Sequence, residues 1–395
     1  MAAPNRRHLS DLRGATRMGF DAATGITDIV QKMHRTIQLR PGPLGNAVND
    51  RTRGITGLVY RTIEGGMRMI GKGIDSSLEP IAALLPEGES TPTRDAFLSV
   101  LNGVYGDYLL RTDNPLTIEM SLRYCGQLMD LEDPARVFGK DSDVAATSKL
   151  LVLVHGLCRN DRHWTRNGHD HGATLADELG YAPLYLRYNS GLHVESNGLD
   201  LAEMLETLIK SWNQPVEELV IIGHSMGGLV ARSACEHGRK SGHDWPRYLR
   251  KLVFLGTPHQ GAPLERGGHW LNCVMGLSPY SAPFTRIGKL RSAGITDLRY
   301  GNITREANEP VPLPTGVKCY VAAATLGTQR GLLSERLVGD GLVPLDSALG
   351  RHSDTARALA IPKNRQWIGY QMRHLELLNR PEVYAQLHTW LQETA

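Results

Sequence analysis

Apolar and polar positions follow one another along this chain with periods that predict a regular succession of strands and helices. From residue 150 onward, short apolar runs typical of buried strands are separated by segments whose apolar positions recur at helical spacing. In chain order, the predicted strands are 150–154, 183–188, 219–222, 251–255, 317–323 and 358–369, and the predicted helices are 173–179, 200–212, 227–238 and 381–391. Because strands alternate with helices, the pattern predicts a mostly parallel central sheet with helices on both faces.

Residues 1–112 carry a different pattern, which predicts a helical N-terminal extension. Apolar residues three or four positions apart over 26–37 indicate an amphipathic helix. A longer apolar stripe over 55–81 is interrupted by glycines, each of which costs about 1 kcal/mol relative to alanine in a helix. Packing against another surface must therefore support it. We interpret that surface as neighbouring helices or the main domain, with contact between residues 55–85 and a lipid or polymer surface as the alternative.

Residues 113–395 are predicted to form one α/β domain. An alternating apolar segment over 118–124 predicts a further strand before the main pattern. Residues 259–316 break the alternation with prolines, glycines and bulky apolar side chains. A long insertion directly after a strand is typical of a cap or lid over a site.

The segment Gly223-His224-Ser225-Met226-Gly227 connects a predicted strand to a predicted helix, which is the context of a nucleophilic serine. The glycines leave room for a sharp, strained turn at the serine. The helix that follows directs free N–H groups and a partial positive charge at the same point. The N–H of Met226 is therefore the predicted first donor of an oxyanion hole.

A serine hydroxyl needs a base to accept its proton, and the base needs an acid to orient it. With this sheet order the acid should follow a late strand. Asp340 lies between two glycines and before an apolar run, a setting that suits a tight loop at a strand end. We predict that Asp340 is the acid; Asp346 and Glu335 are weaker alternatives because they lack the glycine setting.

The predicted base is His374, which lies between the last predicted strand and the closing helix. His352 precedes that strand and His388 lies inside the helix, so both fit less well.

The loop after strand 150–154 begins with His155-Gly156-Leu157 and is predicted to supply the second oxyanion donor, the N–H of Leu157. Gly156 allows this backbone to approach the serine, and His155 either orients the loop or is a buried structural histidine. We predict that His155, Gly156, His224 and Trp164 form the substrate-binding part of the site, with Trp164 at its mouth.

A histidine-rich segment, His163 to His171, invites a metal interpretation, but its neighbouring side chains would point apart. We therefore predict a solvated loop here, no metal and no cofactor.

Net charge is only +3 over 395 residues, which gives no reason to expect a nucleic-acid partner. No apolar run approaches the ~18 residues of a membrane span, and no apolar segment that would make a secretory signal follows the first basic residues. Five dispersed cysteines without a C-x-x-C pair predict reduced thiols. These features predict a cytoplasmic protein, with peripheral contact to a membrane left open.

From about residue 150 to its end, the chain resembles the lipases and esterases of the α/β-hydrolase superfamily, especially the bacterial lipase and PGAP1-like (GPI inositol-deacylase-like) branch. The resemblance rests on segments 154–157, 223–232, 255–261, 340–344 and 374–375. It implies the α/β-hydrolase fold and a cofactor-free hydrolase of carboxylic esters. Its nucleophile, acid and base correspond to Ser225, Asp340 and His374, and its oxyanion donors to Leu157 and Met226.

The sequence thus predicts a serine hydrolase that cleaves small-molecule or lipid-like carboxylic esters through an acyl-enzyme. An acyltransferase, thioesterase or amidase with the same triad is one alternative, because the nucleophilic half-reaction is shared. A protein that binds a lipid or polymer surface through its N-terminal helices is the other.

Overall fold

The computed structural model of the chain describes residues 10, 13, 14, 92–138, 147–262, 292–305, 310–328 and 339–393. The helices expected over 26–37 and 55–81, the surface contact expected of 55–85 and much of the cap expected over 259–316 lie outside these residues. These expectations stay predictions.

The chain divides into two compact units. The first comprises Met1–Ser90 and Leu109–Thr117, and the second comprises Thr91–Tyr108 and Ile118–Ala395. The sheet belongs to the second unit. This unit begins at residue 91, whereas the sequence pattern predicts a boundary between residues 112 and 113. The reason is the helix that begins at Pro92, whose buried residues, Asp95 among them, pack and bond within the second unit.

An eight-stranded sheet forms the centre of the second unit. Its strands are β1 (Ser121–Tyr124), β2 (Gln127–Leu128), β3 (Lys149–Val154), β6 (Ala182–Arg187), β7 (Glu218–His224), β8 (Leu249–Leu255), β9 (Lys318–Thr325) and β10 (Gln366–Tyr370), and β4 (Thr165–Arg166) pairs with β5 (His169–Asp170) in a separate hairpin. The spatial order is β10-β9-β8-β7-β3-β6-β1-β2. The six strands from β10 to β6 are parallel, and β1 and β2 add an antiparallel edge.

Helices cover both faces of the sheet because apolar side chains of the central strands project alternately to each side. The helices are α1 (Pro92–Arg111), α2 (His171–Leu179), α3 (Val194–Ser211), α4 (Met226–Ser241), α5 (Ala293–Tyr300), α6 (Leu345–Ala348) and α7 (Pro381–Gln392). Leu151, Val220 and Val253 share one core with α2 and α7. Helices α3 and α4 pack together, and α4 lies against β7. The predicted fold, a mostly parallel sheet with helices on both faces, is confirmed.

The last strand is shorter than its apolar pattern suggests. The prediction spans 358–369, but β10 begins at Gln366 and ends at Tyr370. Pro362 has no N–H to give to a strand ladder, and a short 3₁₀ turn, Lys363–Arg365, follows it. Sheet pairing therefore starts beyond this turn.

Among the described residues, every helix is too short or too polar to cross a bilayer. Of the cysteines in these residues, Cys158, Cys235 and Cys319 are buried free thiols and Cys125 is an exposed one.

Candidate active site

Ser225 lies in the turn between β7, at the middle of the sheet, and α4. Its backbone has φ 55° and ψ −124°, a region that residues other than glycine seldom adopt. Two hydrogen bonds hold this turn: the Ser225 N–H donates to the Leu255 carbonyl at 2.8 Å, and the Gly228 N–H donates to the Ser225 carbonyl at 3.1 Å. The strained serine is thus fixed between the sheet and the first turn of α4.

Two glycines make this turn sterically possible. A Cβ at Gly223 would lie 2.6 Å from the Cα of Gly228, and a Cβ at Gly227 would lie 2.1 Å from the Val154 carbonyl oxygen. Backbone atoms cannot yield to such contacts. The Gly-x-Ser-x-Gly pattern is therefore a packing requirement of the turn.

Asp340 and His374 form a buried hydrogen-bonded pair. Asp340 Oδ2 lies 2.6 Å from His374 Nδ1, and the Asp340 Oδ1 accepts from the N–H groups of Leu342 at 2.9 Å and Val343 at 2.8 Å. Since an ionised carboxylate only accepts hydrogen bonds, Nδ1 of His374 carries the proton in this pair. Nε2 is then the nitrogen that can accept a proton from a substrate or nucleophile.

Ser225 and His374 line one cavity at the carboxyl end of the parallel strands. Its remaining lining residues are Gly156, Leu157, Arg159, His224, Pro258, Ala262, Leu298, Leu342, Val343 and Leu375. The three residues expected from the sequence to act together, Ser225, Asp340 and His374, are 8%, 3% and 4% exposed.

His224 packs against His374, the predicted base. Its ring centroid is 4.7 Å from that of His374, and its Nε2 lies 3.4 Å from the His374 carbonyl oxygen. Burial, followed by the charge of His374, holds the pKa of His224 well below 6.5. A neutral His224 that donates to this carbonyl positions His374, and it lines the cavity as well.

Leu157 lines the same cavity as Ser225, and Met226 is the first residue of α4, directly after Ser225. Both residues are buried, and neither N–H has an acceptor within the described part of the chain. A Cβ at Gly156 would lie 3.0 Å from the Cβ of Ser225, so glycine brings the loop after β3 into contact with the serine. Two buried, unused donors beside a serine can stabilise a negatively charged oxygen.

His155 supports this loop from below and does not line the cavity at Ser225. Its ring stacks on Tyr188 with centroids 4.2 Å apart, and its Nδ1 lies 2.9 Å from the Gly156 carbonyl oxygen. Burial lowers the pKa of His155 to about 3, so the ring is neutral. These contacts agree with both roles considered from the sequence, orientation of the loop and a buried structural histidine.

Trp164 does not lie at the mouth of the site. It is 1% exposed and belongs to the hydrophobic core with Leu153 and Tyr185. A large indole is more stable packed against apolar strands than on the rim of a cavity, and the 3₁₀ turn Asp161–Trp164 points it inward.

The histidine-rich segment is structured, which corrects the expectation of a solvated loop. His169 and Asp170 form β5, and Asp170 caps α2 through the Ala173 N–H. His171 is fully buried, with Nε2 lying 3.1 Å from the Leu377 carbonyl oxygen. No group of three potential metal ligands is found among the described residues.

Cys158 lies next to the proposed donor loop but is not a rival nucleophile. Burial raises the pKa of the thiol to about 12, which keeps it protonated near neutral pH.

Among the polar residues that line the cavity, Arg159, two positions beyond Leu157, was not anticipated from the sequence. It is 8% exposed and lines the cavity with Ser225 and His374. The sequence signal was a basic residue next to an expected oxyanion loop.

Comparisons with known proteins give one family match and several similar solved structures. Residues 170–285 match the family described as the PGAP1-like alpha/beta domain. Among solved structures, the mature lipase BlEst2 of Bacillus licheniformis is 18% identical with a TM-score of 0.43, over 62% of this chain and 91% of that chain. The Pyrococcus furiosus esterase Pf2001 is 15% identical with a TM-score of 0.39, over 63% and 82%. EstA of Clostridium botulinum is 11% identical with a TM-score of 0.38, over 63% and 88%.

No curated protein matches the chain at a significant level. The family match lies within the part of the chain that contains the serine turn between β7 and α4. The α/β-hydrolase fold predicted from the sequence is confirmed, and the family match is consistent with the predicted resemblance to the α/β-hydrolase superfamily.

Proposed function

We propose that this protein is a serine hydrolase that cleaves carboxylic esters through an acyl-enzyme. The observation that carries the proposal is one cavity lined by the strained Ser225, by Leu157 and by His374, whose Nδ1 is bonded to the buried Asp340. The N–H groups of Leu157 and of Met226, the residue after Ser225, are unused donors. A nucleophile, a base, an acid and an oxyanion hole are the four parts that acyl transfer needs.

In the first half-reaction, Ser225 Oγ attacks the acyl carbonyl carbon while its proton moves to His374 Nε2. The carbonyl oxygen becomes an oxyanion and accepts hydrogen bonds from the N–H groups of Leu157 and Met226. As the tetrahedral intermediate collapses, the bond to the alcohol breaks, and His374 gives its proton to that alcohol. The acyl group then remains as an ester on Ser225.

In the second half-reaction, His374 removes a proton from water, which attacks the acyl-enzyme. The carboxylic acid leaves and Ser225 regains its proton from His374. Throughout, Asp340 holds His374 through Nδ1 and stabilises the imidazolium when it forms.

The test is the turnover of p-nitrophenyl esters by the wild type and by Ser225→Ala. We expect kcat/KM to fall by roughly 10⁵-fold or more, because removing the nucleophile leaves only binding and the oxyanion hole. A fluorophosphonate adduct mapped by mass spectrometry should fall on Ser225. Panels of amides, thioesters and alternative acyl acceptors, run beside the esters, separate hydrolysis of esters from the other reactions of the same triad.

A matched control is Ser241→Ala, at the exposed far end of α4. It should keep wild-type turnover. Activity that survives in Ser225→Ala, with the adduct on another residue, would remove this serine from the mechanism.

A further inference from the structure

Arg159 is a buried cation without a counter-charge. The residue is 8% exposed, and among the described residues no carboxylate pairs with its guanidinium and no hydrogen bond to it is present. Its backbone is anchored, since the N–H donates to the Gly156 carbonyl at 3.3 Å. A guanidinium carries five donors and stays protonated in proteins, so this is a charged group with unmet hydrogen-bonding capacity.

Burial of a lone charge is costly, and proteins ordinarily pair such charges. Burial lowers the pKa of Arg159. The nearby Cys158 raises this pKa in part, and the charge of Arg166 lowers it further. The surroundings of the guanidinium are therefore short of negative charge. The carboxylate bonded to the His374 of this cavity, Asp340, is already engaged by His374 and two backbone N–H groups.

The position of Arg159 decides what can supply the missing charge. It lines the cavity that holds Ser225 and His374, and it also lines a smaller neighbouring cavity with His155 and His163. Burial lowers the pKa of both histidines to about 3, and the charge of Arg159 is the next lowering cause for His163 and a lesser one for His155. Both rings are therefore neutral near neutral pH, and neither supplies a negative charge to Arg159. The open side of the guanidinium is the space that a substrate would occupy.

We propose that Arg159 binds an anionic group of the substrate, so that the enzyme acts on esters that also carry a carboxylate or a phosphate close to the scissile bond. Arginine suits both groups because its planar fork forms two parallel hydrogen bonds with two oxygens of either. The inference rests on the proposed ester hydrolysis and names its substrate class.

The experiment compares two matched pairs of esters. In the carboxylate pair, mono-p-nitrophenyl glutarate is compared with its methyl ester; in the phosphate pair, 1-butyrylglycerol 3-phosphate is compared with 1-butyrylglycerol. Each ester is assayed with the wild type, Arg159→Met, Arg159→Lys and the control Arg166→Met. Arg166 is half-buried in β4 and outside the lining of the cavity, so this control removes one nearby positive charge without changing the cavity wall.

The wild type is expected to prefer the anionic member of at least one pair. Arg159→Met should lower kcat/KM for that ester by roughly 10- to 100-fold, the value of a charge-assisted hydrogen bond, and for its neutral counterpart by less than roughly threefold. Arg159→Lys should keep part of the preference, and Arg166→Met should change both members alike. The pair that responds identifies carboxylate or phosphate as the recognised group.

The proposal would be overturned if Arg159→Met lowered kcat/KM equally for both members of each pair. It would also be overturned if the wild type preferred the neutral members. Fluorophosphonate labelling of Ser225 in every variant separates this failure from a failure of the proposed function. A labelled, active Arg159→Met without selective loss rejects anion binding alone, whereas a wild type without a Ser225 adduct rejects the hydrolase.

Discussion

Two arginines near the same end of the sheet are buried to the same extent and have opposite surroundings. Arg187, the last residue of β6, and Arg159, in the loop after β3, are each 8% exposed. Arg187 forms two parallel hydrogen bonds with Asp95, at 3.0 and 3.1 Å, and a further one with Asp161. Arg159 has no such partner among the described residues. The same degree of burial therefore occurs for a paired structural cation, Arg187, and for an unpaired cation at the candidate site, Arg159.

The pKa values of the two guanidinium groups shift in opposite directions for this reason. Burial opposes the charge of both. In Arg187, hydrogen bonds to Asp161 and Asp95 outweigh it and raise the pKa, whereas in Arg159 burial prevails and lowers the pKa. The carboxylates bonded to a buried cation, more than its degree of burial, decide whether it stabilises the fold or is available to a ligand.

The largest effect is expected from Arg187→Met. The substitution leaves two buried carboxylates, Asp95 and Asp161, without their main cation, and breaking such a pair costs about 3–5 kcal/mol of unfolding free energy. Urea unfolding followed by far-ultraviolet circular dichroism measures it, with the exposed Arg250→Met as the control. A loss below about 1 kcal/mol, the usual range for exposed pairs, would mean that the paired arginine is no more structural than a surface one.

An intermediate effect is expected from acid, through the histidines near Arg159. Burial is the first cause and the charge of Arg159 contributes to the low pKa of His163, about 3 in the folded protein against 6.5 unfolded. Between these values the unfolded chain binds more protons, so the stability that a neutral His163 contributes is complete above pH 6.5 and is lost as the pH falls toward 3. The loss amounts to about 2 kcal/mol at roughly pH 5 for one such histidine.

His163→Gln should therefore flatten the fall in unfolding free energy between roughly pH 7 and pH 5, by the amount expected for one proton. The control His352→Gln, in the turn region before β10, changes a half-buried histidine away from Arg159. Parallel pH profiles for His163→Gln and the wild type would contradict the interpretation that the surroundings of Arg159 exclude further positive charge.

Local pattern was sufficient for most of the fold and for the residues proposed to react. Apolar runs such as β7 and the glycines around Ser225 depend on neighbours along the chain, and the order of acid and base follows from the sheet. Contacts between residues that are far apart along the chain could not be predicted from local pattern. Asp95 and Arg187 are separated by 92 positions, so nothing local distinguishes Arg187 from the unpaired Arg159. For the same reason the burial of Trp164 and His171 could not be anticipated.

The smallest change in stability, and the sharpest contrast with Arg187, is expected from Arg159→Met. The methionine removes a buried charge that no carboxylate offsets while it keeps most of the aliphatic stem, so unfolding free energy should stay within about 1 kcal/mol of the wild type or rise. Glutarate or inorganic phosphate, used as probes, should raise the melting temperature of the wild type more than that of the variant, because a ligand of the folded state stabilises it in proportion to its affinity. Acetamide, a neutral probe, should act equally on both. A loss of about 3 kcal/mol or more would place Arg159 with Arg187 as part of the fold, since only the removal of a bonded buried charge has that cost.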